Sequence, residues 1–163
     1  MRRTVIVNTS PLFYLHKVGH LNILEKLYRE IVIPEAVAKE IEEGKRCGED
    51  VPKIKDYSWI KVKKVRVPGI TKITPDLGPG EIEVLALGSE ETDPLLIMDD
   101  ILARKIAKLQ AFKLTGTVGV LLRAKEKKLI TELKPVIERL KKVGFYLSDN
   151  LILEILKASR EAD

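Results

Sequence analysis

Residues 95–117 read LLIMDDILARKIAKLQAFKLTGT, and the order of residue types in this stretch decides the fold. Leu95 to Met98 is a short apolar run bounded by polar residues, as expected of a strand buried on both faces. Asp99-Asp100 ends it, and a helix runs from there to about Ala111. Lys113-Leu114 makes another short strand. Thr115-Gly116-Thr117 then opens a helix with Val118, Leu121, Leu122 and Ala124 inward. Strand, helix and strand in direct succession form a crossover unit, and crossover units build parallel sheets.

The same alternation extends upstream. Thr4 to Val7 is a β-branched strand ending at Asn8-Thr9-Ser10-Pro11, where Ser10 is expected to cap a helix and Pro11 to take its first position. Leu12, Leu15 and Val18 continue at helical spacing, Gly19 closes this helix, and Leu21, Leu24 and Leu27 begin another. Ile31 to Ile33 is a strand stopped by Pro34, which opens a helix from about Glu35 to Glu43. Residues 44–58 are polar and irregular. Trp59 to Val67 reads as a strand near an edge, because Lys61, Lys63 and Lys64 leave one face exposed. Residues 68–77 read as a loop, and Gly78-Pro79-Gly80 starts a helix over Glu81 to Gly88. Helices near Glu132 to Val143 and Ser148 to Ala158 finish the chain. The expectation is one α/β domain over residues 1–163, with a central, mainly parallel sheet covered on both faces.

Composition narrows the function classes. Hydrophobic residues at 45% and charged residues at 33% describe a globular chain with a densely charged surface, not a disordered one. A single glutamine and three asparagines among many Lys, Glu, Ile and Leu resemble the bias of heat-adapted proteins. The net charge of +5 is compatible with a nucleic-acid partner. One cysteine, Cys47, excludes an intramolecular disulfide and a thiolate zinc cluster. No apolar run approaches the roughly 18 residues of a membrane span, and the N-terminus lacks a secretory apolar region. The expected compartment is the cytoplasm, with no membrane partner.

In an open parallel sheet, ligands sit beyond the carboxyl ends of the strands. Asn8, Thr9 and Ser10 follow the first strand, Asp99 and Asp100 another, and Thr115, Gly116 and Thr117 the last. Glu81 opens a helix after a glycine turn, and Glu40 lies on the helix after Pro34. Carboxylates gathered without His or Cys suit a hard cation, Mg²⁺ or Mn²⁺. Such an ion activates water and neutralises charge on a scissile phosphate. Each residue also has a plainer reading: Asn8 and Ser10 as a helix cap, Asp99 and Asp100 as a cap with a favourable dipole, Glu81 as a first-turn acid, Glu40 as part of a solvated face. His16 and His20 have metal-compatible spacing but no third ligand.

The blocks VIVNTSPLFYL (5–15), IVIPEAVAKEI (31–41), GPGEIEVLALG (78–88), LLIMDDILARKIA (95–107) and LTGTVGVLLRAKEKKLI (114–130) resemble, in that order, the PIN-domain superfamily, in particular a prokaryotic branch whose members start D-T-S-P-L. The resemblance implies a Rossmannoid three-layer sandwich, a cluster of acids that binds Mg²⁺ or Mn²⁺, and ribonuclease activity directed at single strands. Its relatives include toxins of toxin–antitoxin pairs, so an antitoxin protein is an implied partner. Carried over by block, the family's acids fall on Asn8, Glu40, Glu81 and Asp99, with Asp100 competing for the last place and Glu83 for the third. Ser10 and Thr117 match accompanying hydroxyls. Asn8 departs from the family's aspartate; a neutral amide removes one charge and weakens the hold on a divalent ion.

Two function classes therefore stand beside each other: a metal-dependent ribonuclease, and an impaired module that binds RNA or a protein partner. A Rossmann-like nucleotide-binding domain is a third. For RNA, the candidate rim is Lys61, Lys63, Lys64 and Arg104, although the three lysines also suit protection of an edge strand. Val136, Ile137, Leu140, Leu151, Ile152, Ile155 and Leu156 on the last two helices are more apolar surface than one small sheet face covers, so a homodimer is expected.

Overall fold

The structure, a computed structural model, describes residues 2–66 and 76–162. Five parallel strands form one sheet in the order β3-β2-β1-β4-β5: β1 (Val5–Val7), β2 (Ile31–Pro34), β3 (Ile60–Lys63), β4 (Leu95–Ile97) and β5 (Lys113–Thr115). The helices are α1 (Thr9–Lys17), α2 (Ile23–Tyr28), α3 (Glu35–Arg46), α4 (Pro79–Glu90), α5 (Ile101–Leu109), α6 (Thr117–Glu126), α7 (Lys134–Lys142) and α8 (Asp149–Ala158). This is the α/β sandwich that the alternation implies, and the sheet, expected to be mainly parallel, is parallel throughout. Apolar runs make β1 and β2 wholly buried, with Val5 to Val7 and Ile31 to Pro34 inside. Helix α4 packs against β1, β2 and β4, and it is buried at nearly every position from Ile82 to Gly88.

Strand order places a topological switch between β1 and β4. The chain leaves β1 toward β2 and β3, then returns to lay β4 and β5 on β1's other side. The crevice at such a switch, beyond the carboxyl ends, is where open α/β sheets bind ligands. Asn8 stands directly after β1 and donates its backbone N–H to Ile97 O (2.9 Å). Asp99 stands two residues after β4. Both therefore flank the crevice.

Several expectations shift. The strand over Trp59 to Val67 is shorter, Ile60–Lys63, and it is the outer edge of the sheet; the loop over 68–77 lies mostly outside the described residues. Helix α1 starts two residues earlier than Ser10 as cap requires: Asn8 is the N-cap, and Ser10 is in the first turn. The apolar surplus of the last helices is smaller than its composition suggests. Val136, Ile137 and Leu140 are buried within the chain, as is Ile155, leaving Leu151 and Leu153 exposed on α8. Among the described residues no helix is long and apolar enough to cross a membrane.

Candidate active site

Two carboxylate–hydroxyl pairs meet at the switch because consecutive residues of the first turn of α1 reach in different directions. Ser10 Oγ donates to Asp99 Oδ2 (2.7 Å), and Thr9 Oγ1 donates to Glu40 Oε2. Asp99 also accepts from Thr117 twice, from its backbone N–H (2.8 Å) and its Oγ1 (2.6 Å). Thr117 is itself buried. One aspartate thus ties the start of α6 to the start of α1. Glu40 accepts in addition from the Gly80 backbone N–H (2.8 Å), which ties α3 to the start of α4.

The glycine turn before α4 makes room for acids. A Cβ on Gly80 would lie 2.5 Å from Glu40 Oε2, and one on Gly78 would lie 2.7 Å from Glu81 Oε2 and 4.0 Å from Glu40 Oε1. Glu40 and Glu81 therefore crowd the same turn. Gly116 does the same for the other acid, since a Cβ there would meet Asp99 Oδ1 at 2.8 Å. This turn is not built to cradle a phosphate: it gives its Gly80 N–H to a carboxylate and faces two negative groups.

Asn8 is the anomaly of the site. It is 2% exposed, it caps α1 without a side-chain cap hydrogen bond, and its Oδ1 is buried with no partner. A buried unpaired carbonyl oxygen costs about 1–3 kcal/mol, so the fold holds an acceptor in place that nothing in the chain satisfies. The plain cap reading of Asn8 has no hydrogen bond to support it.

Asp99 and Asp100 separate. Asp100 Oδ2 accepts from Ala103 N (2.8 Å) and is the N-cap of α5, whereas Asp99 turns toward Ser10 and Thr117. Glu83 is likewise drawn off, accepting from Ala36 N (3.1 Å) at the start of α3. Arg104 neither pairs with Asp100 nor lies free: its guanidinium donates to Met98 O (2.9 Å) and stands over Gly116 beside Asp99. The lysines of β3 part company with the site. Lys63 pairs with Glu91 (2.7 Å), which also accepts from Thr4 at the far end of β1 from Asn8. The Lys63 ammonium holds the Glu91 carboxyl below its usual range, against the pull of burial. Lys61 and Lys64 are exposed along the edge strand. His16 bonds Asp50 and His20 bonds Arg139, so the two histidines face different partners.

The donors are all oxygens, which suits Mg²⁺ or Mn²⁺, and the orphaned Asn8 oxygen fits a ligand that the chain itself does not supply. Among the described residues no three His, Cys, Asp or Glu side chains group as a metal cluster. A cation would lean on one or two carboxylates, the amide and water, which is how Mg²⁺ is commonly held. Beside Asp99 a cleft of about 720 Å³ opens, lined by Arg104, Tyr14, Phe145, Tyr146 and Leu151 among others. Tyr146 is 87% exposed at its rim.

Sequence reasoning named Thr9 without its role, which is to hold Glu40, and it missed the aromatic wall of this cleft. The Thr9 signal was present, since Asn8-Thr9-Ser10 all follow β1. Tyr146 gave none, because only the return of the chain after α7 brings it near Asp99. A family model described as a PIN domain matches residues 4–161. No curated protein matches the chain.

Proposed function

The chain belongs to the PIN-domain family, a family of nuclease-type, nucleic-acid-binding modules that use divalent metals, and from that premise we propose a metal-dependent endoribonuclease acting on single-stranded RNA. The observation that carries this reading is the buried, unpartnered Asn8 Oδ1 at the strand switch, next in the chain to Thr9 and Ser10, which hold Glu40 and Asp99. Asp99 and Glu81, with the Asn8 oxygen, would hold Mg²⁺ or Mn²⁺, and Glu40 would complete the acidic wall. The ion supplies activated water and neutralisation of phosphate charge. The chain's own residues do the rest. Ser10 and Thr117 fix the rotamer of Asp99, Thr9 and Gly80 fix Glu40, and Arg104, anchored on Met98 O, places positive charge where a phosphate oxygen would arrive. Tyr146 offers a face on which an unpaired base stacks.

The impaired-module reading is favoured by the same residue, since an amide contributes no charge. A nuclease assay with Mn²⁺ on the native chain and on Asn8→Asp decides between them. The ribonuclease reading expects cutting by both, faster in Asn8→Asp. Cutting by Asn8→Asp alone gives the native chain to the binding module, and cutting by neither overturns the ribonuclease.

The proposed homodimer now rests on Leu151 and Leu153 of α8, which are exposed, and no longer on α7. Light scattering at micromolar concentration is expected to give twice the chain mass. A monomer there, with unchanged mass for Leu153→Glu, overturns it.

A further inference from the structure

At the edge of the sheet opposite the carboxylates, a cleft of about 350 Å³ opens around Val5 and Leu95, the first residues of β1 and β4. Its rim carries Arg2, Arg3, Arg29, Arg123 and Lys127, together with Tyr28, and among the described residues no carboxylate lines it. Five cations around one small cleft repel one another, so their gathering needs a cause.

Helix ends supply part of one. Arg29 caps the C-terminus of α2, Lys127 caps that of α6, and Arg123 lies in the last turn of α6. Two helix C-termini amount to about one negative charge between them. Arg3 pairs with Asp93 (2.8 Å) and Arg123 approaches Glu126 (3.5 Å), which accounts for two more. About two positive charges stay unmatched, and among the described residues Arg2, Arg29 and Lys127 form no ion pair. Arg2 and Arg3 precede β1, so no helix end explains them. Burial raises the Tyr28 phenol above its usual range although the Arg123 charge pulls the other way. That hydroxyl therefore stays protonated and available as a donor.

We propose that this cleft binds a phosphate group, carried by a free nucleotide or by a nucleic-acid strand. Guanidinium groups match phosphate oxygens in charge and in paired donor geometry, the apolar floor of the cleft excludes water from one side, and Tyr28 adds a neutral donor. The site is separate from the metal-side acids and does not rest on the ribonuclease reading.

The test uses the full chain in EDTA at about 50 mM salt, where surface charge is least screened. Two probes are titrated by fluorescence polarisation and calorimetry: a labelled single-stranded RNA and adenosine monophosphate. The pocket variant is Arg2→Gln with Arg29→Gln; the charge-matched control is Lys53→Gln with Lys55→Gln. All four side chains are exposed, and a melting curve checks each fold. Lys127→Gln serves as a second pocket variant should the first unfold. We expect the native chain to bind, the pocket variant to lose about tenfold in affinity or more, which is about 1.4 kcal/mol, and the control to lose clearly less. Loss on both probes assigns the phosphate to a nucleotide-sized ligand, and loss on RNA alone assigns it to a strand. Absence of binding to both probes, an unchanged pocket variant, or equal losses in pocket variant and control would each overturn the proposal.

Discussion

Asp99→Ala is expected to lose RNA cleavage by about a thousandfold or more, the scale on which a metal ion stabilises charge in a transition state. The same change should also cost stability, because Asp99 is the acceptor for Ser10 Oγ, Thr117 Oγ1 and the Thr117 backbone N–H. Thr117 is fully buried, and leaving its donors unpaired costs about 1–3 kcal/mol. Asp99→Asn separates the two effects. Its amide oxygen still accepts from the start of α6, so the melting temperature should stay within a few degrees, while the lost charge removes the hold on Mn²⁺. Calorimetry with Mn²⁺ and a melting curve are read side by side. If Asp99→Asn binds Mn²⁺ like the native chain, Asp99 is a helix tie and the metal assignment falls with it. Asp100→Asn is the comparison, since its carboxylate is spent on the cap of α5; it should leave metal binding nearly unchanged.

The inner strands β1, β2 and β4 were legible because each is a short β-branched or leucine-rich run stopped by a polar residue or a proline, which sets them apart from the helices between them. The place of Asp99 and Asp100 was legible for the same reason, since residues directly after parallel strands have only one edge of the sheet to occupy; Glu40 and Glu81 lie within α3 and α4, where strand ends do not place them. What sequence left open are choices made in three dimensions. Asp99 and Asp100 are adjacent and chemically alike, and only the position of Ser10 and Thr117 decides which one turns inward. Lys63 reads as a rim lysine until Glu91, at the other end of α4, claims it. Val136, Ile137 and Leu140 read as surplus because composition does not reveal how much of the chain's own surface α7 covers. The basic cleft joins residues from the first three positions of the chain, the end of α2 and the end of α6, a convergence that no local pattern encodes.

A second large effect on stability should come from the other end of the chain. Glu161 lies past α8, yet its carboxylate accepts from Leu133 N at both oxygens (2.8 and 2.7 Å) and from Lys134 N (3.0 Å), with Lys125 Nζ at 3.3 Å. It is the cap that α7 lacks locally, since Leu133 at its N-cap position offers no side-chain acceptor. Its side chain is only 13% exposed. Burial pushes its carboxyl up, but the amides of Lys134 and Leu133, the Ser159 hydroxyl and Lys125 outweigh that and hold it below the usual glutamate value. A carboxyl depressed in the folded state binds protons more readily once unfolded, so its stabilisation is present above the unfolded value of 4.5 and fades as pH falls through the lower folded value. Glu161→Ala should therefore cost about 1–3 kcal/mol at neutral pH through unpaired amides at a helix start, or about 2–4 °C in melting temperature per kcal/mol for a chain of this size. The gap between native chain and variant should narrow as pH falls below 4.5, where the native carboxylate protonates. Urea melts of both proteins between neutral pH and that range give the difference directly. A gap that stays constant across the range would mean that Glu161 acts through packing alone, and a gap of zero at neutral pH would remove the cap.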